Sequence, residues 1–113
     1  MALKLTREKA DLTAWKAWMQ TRVSEPETRE SRREAGAWLA EQRTRAGLSQ
    51  MQLAEKLGLK YCTFISQVEN GYGRVPTESM RAWAEALGAE PSGFARRLVS
   101  YYDPELHRLL LAR

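Results

Sequence analysis

Apolar residues recur along this chain at intervals of three and four, with polar and charged residues between them, which is the pattern of amphipathic helices. The pattern is clearest over 47–71, GLSQMQLAEKLGLKYCTFISQVENG. Ser49 is a good N-cap and Gln52 follows at capping-box spacing, with Leu48 and Leu53 at the staple positions on either side. Met51, Leu53, Ala54 and Leu57 continue at helical spacing, and Gly58 fits the left-handed position that closes a helix. This predicts a helix of about two turns and then a tight turn.

Tyr61–Val68 is ambiguous, because it is rich in aromatic and β-branched residues and Asn70-Gly71 is a hairpin dipeptide. A return strand would have only Tyr72–Val75 before Pro76, so the helical reading is preferred. On a helix, Tyr61, Ile65 and Val68 share one face with Phe64 beside it. Cys62, Thr63, Ser66, Gln67 and Asn70 share the other, and Gly71 serves as the C-terminal cap residue.

The flanking segments read as helices too. Residues 6–23 place Leu5, Leu12, Trp15, Met19 and Val23 on one stripe with Trp18 beside it; two tryptophans on a short helix need cover, from the same chain or from a partner. The polar stretch Ser24–Thr28 with Pro26 reads as a break. Thr28 or Ser31 then caps a helix to about Arg45, with Ala35, Trp38, Leu39 and Gln42 inward and Arg29, Arg32 and Arg33 clustered at its start. Pro76 opens a helix over about Thr77–Leu87 that buries Met80, Trp83, Ala84 and Leu87 and stops at Gly88. Pro91 opens another, to about Tyr101, with Phe94, Leu98 and Tyr101 or Tyr102 inward. Asp103-Pro104-Glu105 is an N-cap, a proline at N1 and an acid in the first turn, and it starts a last helix carrying Leu106, Leu109, Leu110 and Leu111. Those leucines either complete the core or form a two-fold dimer contact.

The hydroxyl and amide face of 61–69 lacks the Glu, Lys and Arg that usually clothe a surface helix. Uncharged Gln, Asn and Thr suit base edges in a DNA groove, where an amide bonds adenine and a threonine methyl meets thymine. The bland alternative is a solvated face without charge.

The series Leu39…Arg43…Gly47-Leu48-Ser49-Gln50…Leu53-Ala54…Leu57-Gly58…Ile65-Ser66-Gln67-Val68-Glu69-Asn70-Gly71…Pro76…Ala84-Glu85-Ala86-Leu87-Gly88 resembles the Xre-type helix-turn-helix family, which includes the phage lambda repressor and Cro. The match runs from about Gly36 to Phe94. The resemblance implies a compact all-α bundle of the lambda-repressor-like type. It also implies roles: Ser49, Gln50, Asn70 and Arg74 at positions that meet DNA phosphate, Gln50 also steadying the recognition helix; Cys62, Thr63, Ser66 and Gln67 at positions that read bases; and Arg43 and Glu69 as a buried structural ion pair. Two departures stand out. Gln42 replaces a usual leucine, and one extra residue lies between Gly58 and Glu69. Placing that residue just after Gly58 keeps Ile65 and Val68 inward and leaves Lys60 and Tyr61 in a longer turn, where they become candidate DNA contacts themselves. Cys62 has a second reading, as a redox handle on binding.

Composition narrows the classes. At 113 residues the chain is one small domain with short additions, and its net charge of +4 and pI near 9.5 permit nucleic acid without requiring it. Residues 48–76 hold only three basic and two acidic residues, so specificity would rest on groove contacts more than on bulk charge. One cysteine excludes an internal disulfide, and a single histidine, His107, leaves neither a metal site nor a catalytic triad. No long apolar run or leader pattern is seen, so a cytoplasmic protein without cofactor or metal and without enzymatic activity is expected.

The sequence thus predicts an N-terminal amphipathic extension (1–27), a helix-turn-helix domain (28–102) and a C-terminal helix (103–113). The expected function is a sequence-specific transcriptional regulator, a homodimer reading double-stranded DNA at a pseudo-palindromic operator. Two alternatives differ in partner: an antitoxin or accessory regulator whose N-terminal helix binds a protein, and a helix-turn-helix fold used only for protein contact.

Overall fold

The computed structural model describes residues 26–111, with side chains from Arg29 onward. The described chain is all-α: α1 (Pro26–Arg45), α2 (Gln50–Lys56), α3 (Thr63–Glu69), a 3-10 turn (Thr77–Ser79) that runs into α4 (Met80–Leu87), α5 (Pro91–Tyr102) and α6 (Pro104–Leu111). The predicted helix over residues 6–23, with its tryptophans, lies outside the described residues.

Local chemistry sets most boundaries. Ser49 and Gln52 form the reciprocal capping box, with Gln52 N–H bonding Ser49 Oγ at 3.0 Å and Ser49 N–H bonding Gln52 Oε1 at 2.8 Å. Glu90 caps α5 by accepting the Gly93 and Ser92 amides at 2.6 and 3.1 Å, which holds its carboxyl below the usual value. Four helices end alike: the N–H groups of Leu48, Leu59, Tyr72 and Ala89 each bond the carbonyl five residues back, across Gly47, Gly58, Gly71 and Gly88.

The first boundary differs from expectation. α1 starts at Pro26, not at Thr28 or Ser31, and so crosses the boundary drawn at residue 27. Proline is well placed there, since the first-turn N–H it lacks would have no partner in the helix. Ser31 and Glu34 consequently lie inside α1 and not at its cap.

Every element but α6 and the 3-10 turn contributes to one core. Ala35 and Leu39 come from α1, Leu53 and Ala54 from α2, Ile65 and Val68 from α3; Trp83 and Leu98 close it from α4 and α5. Trp38 lies half-buried at the edge, its ring centroid 5.5 Å from Phe94. Met51, expected inward, is exposed, and Leu87 is only half-buried. For α6 the structure removes one of the two readings of its leucines. Its leucines do not complete the core: Leu109 and Leu110 are 67% and 69% exposed, and no residue of α6 is buried.

Candidate nucleic-acid interface

α3 is held by its C-terminal end. Ile65 and Val68 are buried, and the α1 backbone passes so close that a Cβ on Gly36 would lie 2.3 Å from the Glu69 carbonyl oxygen. At Gly71, φ is +83° and a Cβ would meet the Arg33 backbone at 2.8 Å, so both handedness and space require glycine. The chain leaves α3 against α1 with no room for a side chain at either point.

Beside this contact, Arg43 Nε donates to Glu69 Oε2 at 2.6 Å and Nη2 donates to Oε1 at 3.1 Å, a bidentate pair whose side chains are 14% and 6% exposed. Arg43 Nη1 also donates to the Leu48 carbonyl at 2.8 Å, and Gln50 Nε2 donates to Glu69 Oε1 at 2.9 Å. One carboxylate therefore ties α1, the turn before α2, α2 and α3 together. The bond to Glu69 also raises the Arg43 pKa above its ordinary value, so the guanidinium keeps its charge. Glu69 is the one acid of α3, and its charge is neutralised at the root of the helix.

What α3 and its approach leave to solvent is Lys60, Tyr61, Thr63, Gln67 and Asn70, with Ser66 half-exposed among them. The extra residue lies in the α2–α3 turn, so the helix starts at Thr63 and Lys60 and Tyr61 precede it. This is the longer turn expected from a gap after Gly58, and Tyr61 is 67% exposed there instead of sharing a face with Ile65. Cys62 moves the other way. At the N-cap position it packs half-buried against the core, and so does not share the open row formed by Thr63 and Gln67. Asn70 Nδ2 is turned back on its own helix, donating to the Ser66 carbonyl at 2.9 Å.

The loop after α3 is tied to the end of the helix. Tyr72 and Gly73 N–H groups both bond the Gln67 carbonyl, and the Tyr72 side chain is 84% exposed. Arg74 lays its guanidinium 4.5 Å above the ring of Tyr102, the last residue of α5. Two short helices, the second held rigidly and presenting an uncharged polar face, followed by a loop bearing an arginine, is the arrangement in which a helix enters the DNA major groove. A family model described as a helix-turn-helix domain matches residues 34–98, more than half of the 113 residues. The chain belongs to the helix-turn-helix domain family. Comparison with curated proteins gives no match.

The match runs from within α1 to within α5 and makes DNA binding the coarse function of the domain. Within the matched residues, α2 and α3 have the order and short connection of a helix-turn-helix pair. None of the described helices is long and apolar enough to cross a membrane, and no His/Cys/Asp/Glu group of metal-binding size occurs among the described residues. Two contributors to the site were missed in the sequence, Gly36 and the Tyr102 hydroxyl; Gln50 was expected to steady this helix, and its bond to Glu69 is the contact that does so. Gly36 carried a readable signal, since a glycine in a helix interior costs about 1 kcal/mol relative to alanine and is tolerated only for a packing or functional reason. The Tyr102 contact depends on residues far apart in sequence.

Proposed function

We propose that this helix-turn-helix protein is a sequence-specific transcriptional regulator of the Xre type, placing α3 in the major groove. The observation that carries the reading is the exposed row Thr63–Gln67 on a helix whose only acid is buried and paired. Such a surface presents hydrogen-bonding groups to base edges without repelling phosphate. Gln67 and Thr63 are the base readers, with Ser66, Lys60 and Tyr61 alongside, and Cys62 contributes as the floor beneath them. Gln50, whose amide has a second N–H beyond the one held by Glu69, meets phosphate with Ser49 and Arg74; Asn70 joins them by releasing its bond to Ser66. We assign no catalytic centre.

The same reading makes the protein a homodimer on two half-sites. What supports it is the leucine face of α6, together with a groove of about 230 Å³ between α5 and α6 whose apolar lining from Ala95, Val99, Leu110 and Leu111 is edged by Ser92, Arg96 and His107. A self-associating face of this kind sets the half-site spacing by placing the two α3 helices.

The test is retention of sheared genomic DNA by the purified protein at physiological salt, followed by sequencing. Enrichment of a few fragments that share an inverted repeat is expected; even retention of all fragments, or none, overturns the reading. On the recovered site, Gln67→Ala is expected to cost about 1–3 kcal/mol while binding to random DNA changes little. Arg74→Ala should weaken both alike and reduce the salt slope by about 1. Equal losses for Gln67→Ala on the two DNAs would remove it as a base reader, and an unchanged slope would remove Arg74 from the phosphate contacts.

A further inference from the structure

Tyr102 is buried at the end of α5, 27 residues from the loop it touches, and its hydroxyl accepts the Val75 N–H at 3.2 Å. Its ring lies under the Arg74 guanidinium, whose carbon is 4.5 Å from the ring centroid. One side chain thus grips two successive residues of the loop after α3, one by its backbone and one by its charge. The grip is stable to pH, since burial pushes the phenol up and keeps it neutral. The loop needs such an anchor. It has no regular structure between Gly71 and the 3-10 turn, and Val75 is its one buried residue. An arginine on an unanchored loop would lose rotamer freedom on meeting a phosphate; one already held over a ring has less to lose.

We propose that Tyr102 is a positioning residue for DNA binding: it fixes the 72–76 loop from below and presents Arg74 to the phosphate beside the end of α3. The proposal rests on the DNA-binding reading and adds to it a residue that touches no DNA. It also places the control of a phosphate contact at the last residue of α5.

The test is a double-mutant cycle on DNA affinity, with wild type, Tyr102→Phe, Arg74→Ala and the double variant measured across a salt series. Tyr102→Phe deletes one oxygen and keeps the ring, so the fold should persist, which far-UV circular dichroism checks. It is expected to weaken binding to specific and random DNA alike, by roughly two- to tenfold, the range of one hydrogen bond. In the Arg74→Ala background it should weaken binding no further, because the group it positions is gone. A purely structural tyrosine would instead give additive losses, and additivity overturns the proposal. Arg74→Lys provides the second arm, with Tyr102 left intact. Lysine keeps the charge but does not stack flat on the ring, so a loss close to that of Arg74→Ala is expected, and wild-type affinity would overturn the proposal. If the wild type retains no DNA, the DNA-binding reading itself fails, and the role of Tyr102 with it. Binding by the wild type with an additive cycle sinks only the role of Tyr102.

Discussion

Gly36→Ala is expected to lower the melting temperature of the protein by at least about 5 °C, the equivalent of a net loss of about 1–2 kcal/mol for a domain of this size. Two effects oppose each other. Alanine in a helix interior is favoured over glycine by about 1 kcal/mol, and on an open surface that gain would show. At Gly36, however, the new methyl would stand 2.3 Å from the Glu69 carbonyl oxygen and 2.6 Å from that of Val68. These are backbone atoms at the end of a helix, not the tip of a side chain, so they move only if α1 and α3 move apart. Overpacking of this kind costs about 1–3 kcal/mol and sometimes more. Here it also pulls Glu69 away from Arg43, whose shortest contact is 2.6 Å. The clash therefore outweighs the propensity gain. Thermal melts of wild type and variant, followed by circular dichroism, decide it. A melting temperature equal to or above wild type would show that α3 does not rest on α1 as described.

The ion pair gives the second large effect. Arg43→Ala removes three of the donors around Glu69 and the Leu48 carbonyl and leaves a carboxylate that is 6% exposed with Gln50 alone. Stranding one partner of a buried pair costs about 3–5 kcal/mol. The converse, Glu69→Ala, strands a guanidinium that is 14% exposed and carried on a long stem, so it should cost less. Chemical denaturation of both variants would show this order. A loss below about 1 kcal/mol for Arg43→Ala, the level of an exposed pair, would mean that the network contributes nothing beyond surface electrostatics. Because Glu69 ends α3, Arg43→Ala should also loosen the recognition helix and lower DNA affinity, although Arg43 faces the protein interior.

These residues differ in how far they could be read in advance. The Arg43–Glu69 pair was implied by the resemblance of the chain to a known family. The caps at Ser49–Gln52 and at Gly58, Gly71 and Gly88 were legible from residue type and spacing, because a cap is satisfied within a few residues of itself. The inward faces of α3, α4 and α5 followed from periodicity, and Ile65, Val68, Trp83, Phe94 and Leu98 are buried accordingly. Periodicity misled where an apolar residue lay at an element's edge. Tyr61 has the spacing of a core residue but precedes the helix by two positions, and Met51 lies in the first turn of a helix only seven residues long. The start of α1 was obscured because Pro26 reads equally as a break and as a first helical residue.

The sequence alone determined that this is an all-helical chain with a two-helix motif ending in a polar face, because helix phase, caps and turn glycines are local properties. The tertiary structure decided what that face presents. It turned Cys62 in, left the leucines of α6 open, set Gly36 against the end of α3 and brought Tyr102 beneath Arg74. Each of these depends on where a second backbone lies, and the spacing of residues along one helix carries no information about the element it will meet.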